Sequence, residues 1–152
     1  MDTKLCFVSS SGGHLEQLLM FKPLMKKYPS IIVTEKTYYD IKMHCKQYKL
    51  YQVNRKELAS VFRMFFNIYL SIKILLKEKP TMIISTGVLA TLPICIFGKI
   101  LGKKIIYVES FAKTKSLTKT GKLMYRFADQ FYVQWRELQH LYPKAIYRGS
   151  LY

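Results

Sequence analysis

Between Ser9 and His14 the chain places three serines, two glycines and a histidine in succession: Ser9, Ser10, Ser11, Gly12, Gly13, His14. Residues 4–8 read as a buried apolar strand and those from about Gly13 as a helix, so the hydroxyls and glycines fill a strand-to-helix turn. Such a turn suits a phosphate. Glycine lets the backbone approach a ligand closely, and the first turn of a helix presents N–H groups with no partner inside the helix. His14 falls in that turn, where an imidazole titrating near neutrality can take or give a proton beside whatever the loop holds. Ser10, Ser11, Gly12 and Gly13 are therefore candidate phosphate-binding residues. The same residues also fit a plainer reading, in which the glycines only make a tight turn and His14 is an exposed helix residue.

A second constellation is basic. Lys115, Lys119, Lys122 and Arg126 recur at intervals of four, three and four, which puts them on one face if 113–126 is a helix. Leu117, Leu123, Met124 and Phe127 then face the core. The stripe is either a solvated face or an anion-facing surface, since it follows a central strand at the end where open α/β sheets bind ligands.

The elements that must position these residues alternate. Apolar, β-rich runs at 4–8, 31–34, 82–85, 104–108 and 130–133 are separated by helical segments, which predicts a Rossmann-like α/β fold. The expected architecture is a parallel sheet with helices on both faces, in a single domain over 1–152. The first helix is expected to break at Pro23 and resume to Lys27, a second to cover 37–47, and 51–53 to form a short edge strand. A long helix over 57–77 has a narrow polar stripe at Lys56, Ser60, Arg63, Asn67 and Ser71, leaving a wide apolar arc that includes Phe62, Phe65, Phe66 and Tyr69. Either that helix is deeply packed, or part of its surface meets a partner or lipid headgroups.

Composition narrows the classes. With 152 residues, half of them apolar, the chain can bury a proper core. Its 25 Lys and Arg against 9 Asp and Glu give a formal charge of +16, so an anionic partner is expected: nucleic acid, a membrane surface or a phosphorylated ligand. Cys6, Cys45 and Cys95 are odd in number, widely spaced and set in apolar segments, which points to a reduced compartment without disulfides. No His or Cys pair has metal-ligand spacing. The start reads as a strand rather than a signal peptide, and the longest uncharged apolar run, 88–97, falls well short of the ~20 residues that span a bilayer.

The strand-loop-helix start resembles the N-terminal half of the MurG-like glycosyltransferases. The later runs narrow the likeness: Ser85-Thr86-Gly87, the stretch from Gly98 to Glu109 and Ser110, that from Ser116 to Tyr125, Ala128-Asp129, Val133-Gln134-Trp135 and the terminal Tyr147 to Tyr152. Together they resemble bacterial capsule and exopolysaccharide relatives of the membrane-anchoring subunit of the split UDP-N-acetylglucosaminyltransferase of asparagine-linked glycosylation. The resemblance implies one half of a two-Rossmann-domain (GT-B type) transferase, in which this chain supplies the acceptor side and membrane docking. A separate donor-binding subunit would hold the UDP-sugar, and the pair would extend a lipid-diphosphate-linked sugar, commonly by adding galactose to glucose. The chain is then expected at the cytoplasmic face of the cell membrane, attached peripherally to an anionic surface, with no cofactor or metal and with little or no turnover of its own.

Carried over by residue, Ser11 to His14 match the family's glycine-rich loop, expected at the acceptor diphosphate and the reaction centre. Glu109 and Ser110 match its acidic pair after the fifth strand, and Gly87 its Ser-Thr-Gly turn. Val88-Leu89-Ala90 stands where small residues are usual, and Lys113 where many relatives have arginine. His14 and Glu109 are thus the candidate catalytic residues, either as base, with Ser110, Lys113, Lys115, Lys119 and Lys122 added to the acceptor-binding set. Two other classes compete. A nucleic-acid-binding module fits the charge and the 12 tyrosines but brings no recognised motif. A dinucleotide enzyme would use Glu35 on the ribose, yet lacks the third glycine of its fingerprint.

Overall fold

The structure is a computed structural model that describes residues 3–36, 43–54, 57–87 and 89–152. The first strand, β1 (Leu5–Ser9), is buried at every position, as a parallel strand covered on both faces must be. It is followed by α1 (Gly13–Leu19), α2 (Lys22–Lys27) and β2 (Ser30–Glu35). Then come β3 (Lys46–Leu50), α3 (Ala59–Glu78), β4 (Met82–Ser85), α4 (Leu92–Ile100) and β5 (Lys104–Val108). The chain closes with α5 (Lys119–Phe127), β6 (Gln130–Val133), α6 (Arg136–Leu141) and β7 (Ile146–Tyr147). All strand pairs are parallel, in the order β3-β2-β1-β4-β5-β6-β7. The Rossmann-like expectation holds.

Alternation along the strands sorts the core into two layers. Leu5, Phe7, Ile32 and Ile84 pack under α1 and α2 with Leu18 and Met25. Cys6, Val8, Ile31, Val33, Ile83, Ile105 and Phe131 face the other layer with Ile74 and Leu75 of α3, Ile94 of α4, Met124 of α5 and Leu138 of α6. The thiols of Cys6 and Cys95 are buried and free, and burial pushes the Cys95 thiol up to about 12.

Several boundaries differ from the sequence reading. The edge strand is 46–50 rather than 51–53, pairing Ile31 with Lys46 through Glu35 with Leu50, so the helix expected over 37–47 does not reach its end; residues 37–42 lie outside the described ones. Pro23 opens α2 in its first turn instead of interrupting a helix, the place where its missing N–H costs nothing. The short α6 and β7 had no strong periodicity to announce them.

The long helix is inverted relative to a core-packed one. Ser60, Asn67, Ser71, Ile74, Leu75 and Glu78 are buried, whereas Leu58, Val61, Phe62, Phe65, Phe66, Tyr69 and Leu76 are exposed, Phe62 by 71%. Ser60 and Asn67 of the polar stripe face inward because they have backbone to satisfy. Asn67 accepts from the Tyr51 N–H and donates to the Tyr51 carbonyl, both at 2.8 Å, and Ser60 Oγ accepts from Asn54 N–H at 2.9 Å. These bonds pin the strand-to-helix connection onto α3 and turn the aromatic arc outward, which overturns the deeply packed alternative. By length and composition α3 is also long and apolar enough to cross a membrane, although Arg63 and Lys73 keep it from being an uncharged run. Its inner face, however, is bound into the domain.

Candidate functional site

Three loops meet at the carboxyl ends of adjacent strands: Ser10 to His14 after β1, Thr86-Gly87 after β4 and Glu109-Ser110 after β5. Strand order reverses between β1 and β4, the switch point at which open α/β sheets leave a crevice for a ligand.

His14 lies in this crevice and is held at both ends by one residue. Its ring Nδ1 is 2.8 Å from the Thr86 carbonyl, and the Thr86 hydroxyl donates to the His14 carbonyl at 2.8 Å. A carbonyl oxygen only accepts, so Nδ1 carries the hydrogen and Nε2 of the neutral ring is left with the free lone pair. Gly87 makes room for the ring. Its φ is 112°, and a Cβ there would lie 3.0 Å from the Tyr107 hydroxyl and 3.5 Å from two ring atoms of His14. Glycine is the residue that fits both the left-handed backbone and the gap.

The loop uses much of its own hydrogen-bonding capacity. The Ser10 hydroxyl donates to the Ser11 carbonyl at 3.2 Å, and the Ser11 N–H and hydroxyl each lie 3.4 Å from Glu35 Oε2. Ser10 is thus turned into the backbone, and Ser11 faces a carboxylate. Gly12, at φ 69°, and Gly13 are the exposed part, with open space where a Cβ would stand. Glu35, the residue a dinucleotide enzyme would turn to a ribose, sits buried at the end of β2 as a brace for this turn.

Glu109 is wholly buried. Oε1 accepts from Ser110 N–H at 2.8 Å, Oε2 accepts from Thr118 N–H at 3.0 Å, and the Thr118 hydroxyl bonds the same carboxylate. Burial pushes the carboxyl above its usual range, against the pull of the Ser110 and Thr118 donors and the nearby His14 ring. The first turn of α5 closes on it. A Cβ on Gly121 would come within 1.8 Å of Oε2, so only glycine lets helix and carboxylate meet. Thr118 joins the two, since its oxygen also caps α5 by accepting from Gly121 N–H at 2.8 Å. Two glutamines hold the turn from below. Gln17 of α1 donates to the Glu109 carbonyl at 3.2 Å and accepts from Phe111 N–H at 3.1 Å, while Gln134 donates to the same carbonyl at 3.0 Å. In the sequence Gln17, Thr118, Gly121 and Gln134 had no role; the only signal was that Thr118, Gly121 and Gln134 lie inside the runs that carry the resemblance.

The basic stripe is partly dissolved. Residues 113–118 are irregular, and α5 begins at Lys119, so Lys115 is exposed but not on the helix. Lys119, Lys122 and Arg126 keep their common face; at 1.5 Å per residue Arg126 sits about 10 Å along the axis from Lys119, toward the opposite end of the sheet. Lys113 is half-buried in a turn, donating its N–H to the Ser110 carbonyl at 3.0 Å, and Ser110 itself is half-buried at the crevice. Among the described residues no cluster of three metal-ligating side chains occurs.

Comparison with known proteins gives a consistent picture. The model of the family of oligosaccharide biosynthesis proteins described as Alg14 like matches residues 32–151. A UDP-N-acetylglucosamine transferase subunit ALG14 from Mus musculus is 28% identical over 97% of this chain and 82% of its own length. Its counterpart from Schizosaccharomyces pombe is 38% identical over 64% of this chain and 50% of its own length. Among solved structures, MurG of Acinetobacter baumannii superposes with a TM-score of 0.71 at 12% identity, over 89% of this chain and 42% of MurG. The chain therefore matches one Rossmann-like unit of a GT-B glycosyltransferase and spans less than half the length of that enzyme.

Proposed function

The chain belongs to the family of Alg14-like oligosaccharide biosynthesis proteins, and from that premise we propose that it is the acceptor-binding, membrane-docking subunit of a heteromeric inverting glycosyltransferase. The acceptor is a sugar linked through a diphosphate to a lipid, and the UDP-sugar is held mainly by a separate subunit. Relatives named as transferase subunits support the division of labour. The observation that carries the reading is the His14 ring, fixed by Thr86 with Nε2 free at the switch point.

In this reading the acceptor diphosphate lies over Gly12-Gly13, with Lys119 and Lys122 supplying positive potential from α5. The acceptor hydroxyl attacks the anomeric carbon of the donor sugar. The bond to the nucleoside diphosphate breaks as the new glycosidic bond forms, and Nε2 takes the hydroxyl proton. Glu109 is a positioning residue rather than the base, because its oxygens are engaged by Ser110 and Thr118 and it reaches no solvent. Its work is to hold the third loop and the start of α5 in register with His14. The exposed aromatic arc of α3 rests on the membrane interface at the cytoplasmic face, aided by the +16 charge against anionic lipid. The capsular or exopolysaccharide setting rests on the resemblance of the runs around Gly87, Ser110 and Gly149, and makes a lipid-diphosphate glucose the acceptor to try first.

Transfer of radiolabelled sugar from a UDP-sugar to a lipid-diphosphate sugar tests the proposal. The chain alone should be silent and the chain with its donor subunit active; turnover by the chain alone would overturn the split-enzyme reading. Comparing lipid-linked glucose with lipid-linked N-acetylglucosamine as acceptors decides the pathway.

A further inference from the structure

The fold contains an apolar groove that neither the reaction chemistry nor the core uses. It has a volume of about 410 Å³, within the range of small-molecule sites, and lies between Val53, Asn54 and Glu57, the first half of α3 and Leu89. Val53, Val61, Met64, Phe65, Ile68 and Leu89 make its walls. The polar groups at its edge are engaged with one another: Asn54 N–H with Ser60 Oγ, Asn54 Nδ2 with Glu57, and Glu57 with Arg63 at 2.9 Å. A ligand would find hydrocarbon contact there and no polar handle.

Its position says what that ligand is. Leu89, one of its lining residues, stands two positions beyond Gly87, so its Cα lies at most about 7 Å from that of Gly87, which borders the His14 ring. The other wall is Val61 and Phe65, exposed by 56% and 65%, which also belong to the aromatic arc of α3. The groove thus shares Val61 and Phe65 with the proposed membrane face and, through Leu89, adjoins in sequence the turn that carries Gly87. We infer that it binds the first units of the acceptor's hydrocarbon chain, so that the lipid leaves the bilayer along α3 and delivers its diphosphate to Gly12-Gly13. This inference rests on the acceptor-side reading and adds to it a chain-binding subsite within the protein, distinct from insertion of the helix face into lipid.

Soluble prenyl diphosphates separate the two claims. Inorganic diphosphate, geranyl diphosphate and farnesyl diphosphate are titrated calorimetrically into the full chain without vesicles or detergent. Each fully buried carbon adds about fourfold in affinity, so even a partly open groove should give farnesyl diphosphate at least a tenfold advantage over inorganic diphosphate. Val61→Trp, which fills the groove from its exposed rim, should remove that advantage and leave inorganic diphosphate binding as it was. Met64→Gln, which sets an amide in the wall without adding bulk, repeats the test if the first variant melts early. Ile100→Ser, on an exposed apolar position of α4, should change neither. Inorganic diphosphate binding without any gain from the chain would overturn the groove and leave the acceptor-side reading standing. A chain-length gain that survives both groove variants would also overturn it, and failure of all three ligands to bind would count against both.

Discussion

One threonine fixes the state of the proposed base. Because the Thr86 carbonyl receives Nδ1–H, the tautomer of His14 is set before any substrate arrives, and Nε2 is the ring nitrogen left to accept. His14→Ala in the reconstituted pair should therefore lower kcat by about 10² to 10⁴ with association of the subunits unchanged. Glu109→Gln should act differently. It exchanges one acceptor oxygen for an NH₂ group that faces a backbone donor, so it should lower the melting temperature and raise the acceptor KM more than it lowers kcat. A kcat loss in Glu109→Gln equal to that of His14→Ala, at unchanged stability, would return Glu109 to the chemistry. Gly121→Ala should be the most damaging change at this scale, since a methyl 1.8 Å from a carboxylate oxygen forces α5 off its first turn. Circular dichroism melts would show it. His14 and its glycines were legible because their types and spacing lie in one contiguous run. Gln17, Thr118, Gly121 and Gln134 were not, because each works through contacts with residues far along the chain.

The lesson of α3 is that a polar stripe does not reveal its direction. The sequence shows Ser60, Asn67 and Ser71 in line, and periodicity alone would turn them to water. Ser60 and Asn67 face inward because the 51–54 connection brings backbone groups that their side chains satisfy, whereas the Ser71 hydroxyl is buried without a hydrogen-bond partner among the described residues. Asn67→Ala should accordingly cost about 1–2 kcal/mol, readable as a lower denaturant midpoint, by orphaning the N–H and carbonyl of Tyr51. On the outer face the reverse holds. Phe62→Ser with Phe66→Ser should leave the melting temperature nearly unchanged and reduce sedimentation with vesicles even at high salt, where electrostatic attraction is screened. Lys119→Glu with Lys122→Glu should weaken vesicle binding at low salt only. Equal binding by the α3 pair and the parent protein would show that the arc does not touch lipid. The edge strand and the start of α5 were misplaced for a related reason: Lys46 to Leu50 carries charges typical of an edge, and the basic repeat from Lys115 imitates a helix that the Thr118 cap begins one step later.

At the scale of the molecule the strands are tied together away from the crevice by Glu78. Its carboxylate takes Lys4 of the segment leading into β1, with Nζ at 2.7 Å, together with Lys46 and the Tyr48 hydroxyl of β3. The hydrogen bonds from Lys4, Lys46 and Tyr48 hold its carboxyl down to about 2 from an ordinary 4.5. A depressed carboxyl stabilises the fold above the unfolded pKa, and that contribution is lost as pH falls from about 4.5 through about 2. Thermal melts should show Glu78→Gln less stable than the parent protein at pH 7, with the gap closing in that acid window. The parallel sheet follows from the β-α alternation, whereas its strand order, and the proposed division between this chain and a donor subunit, are properties no single strand or helix displays. The most direct test of the acceptor-side claim is a titration of the isotope-labelled chain, followed by NMR, with a lipid-diphosphate sugar in one arm and a UDP-sugar in the other. The account predicts that the lipid-linked ligand shifts the amides of Gly12, Gly13, His14 and Gly87 and saturates at a concentration at least about tenfold lower than the UDP-sugar. Tighter binding of the UDP-sugar at those same amides would contradict it.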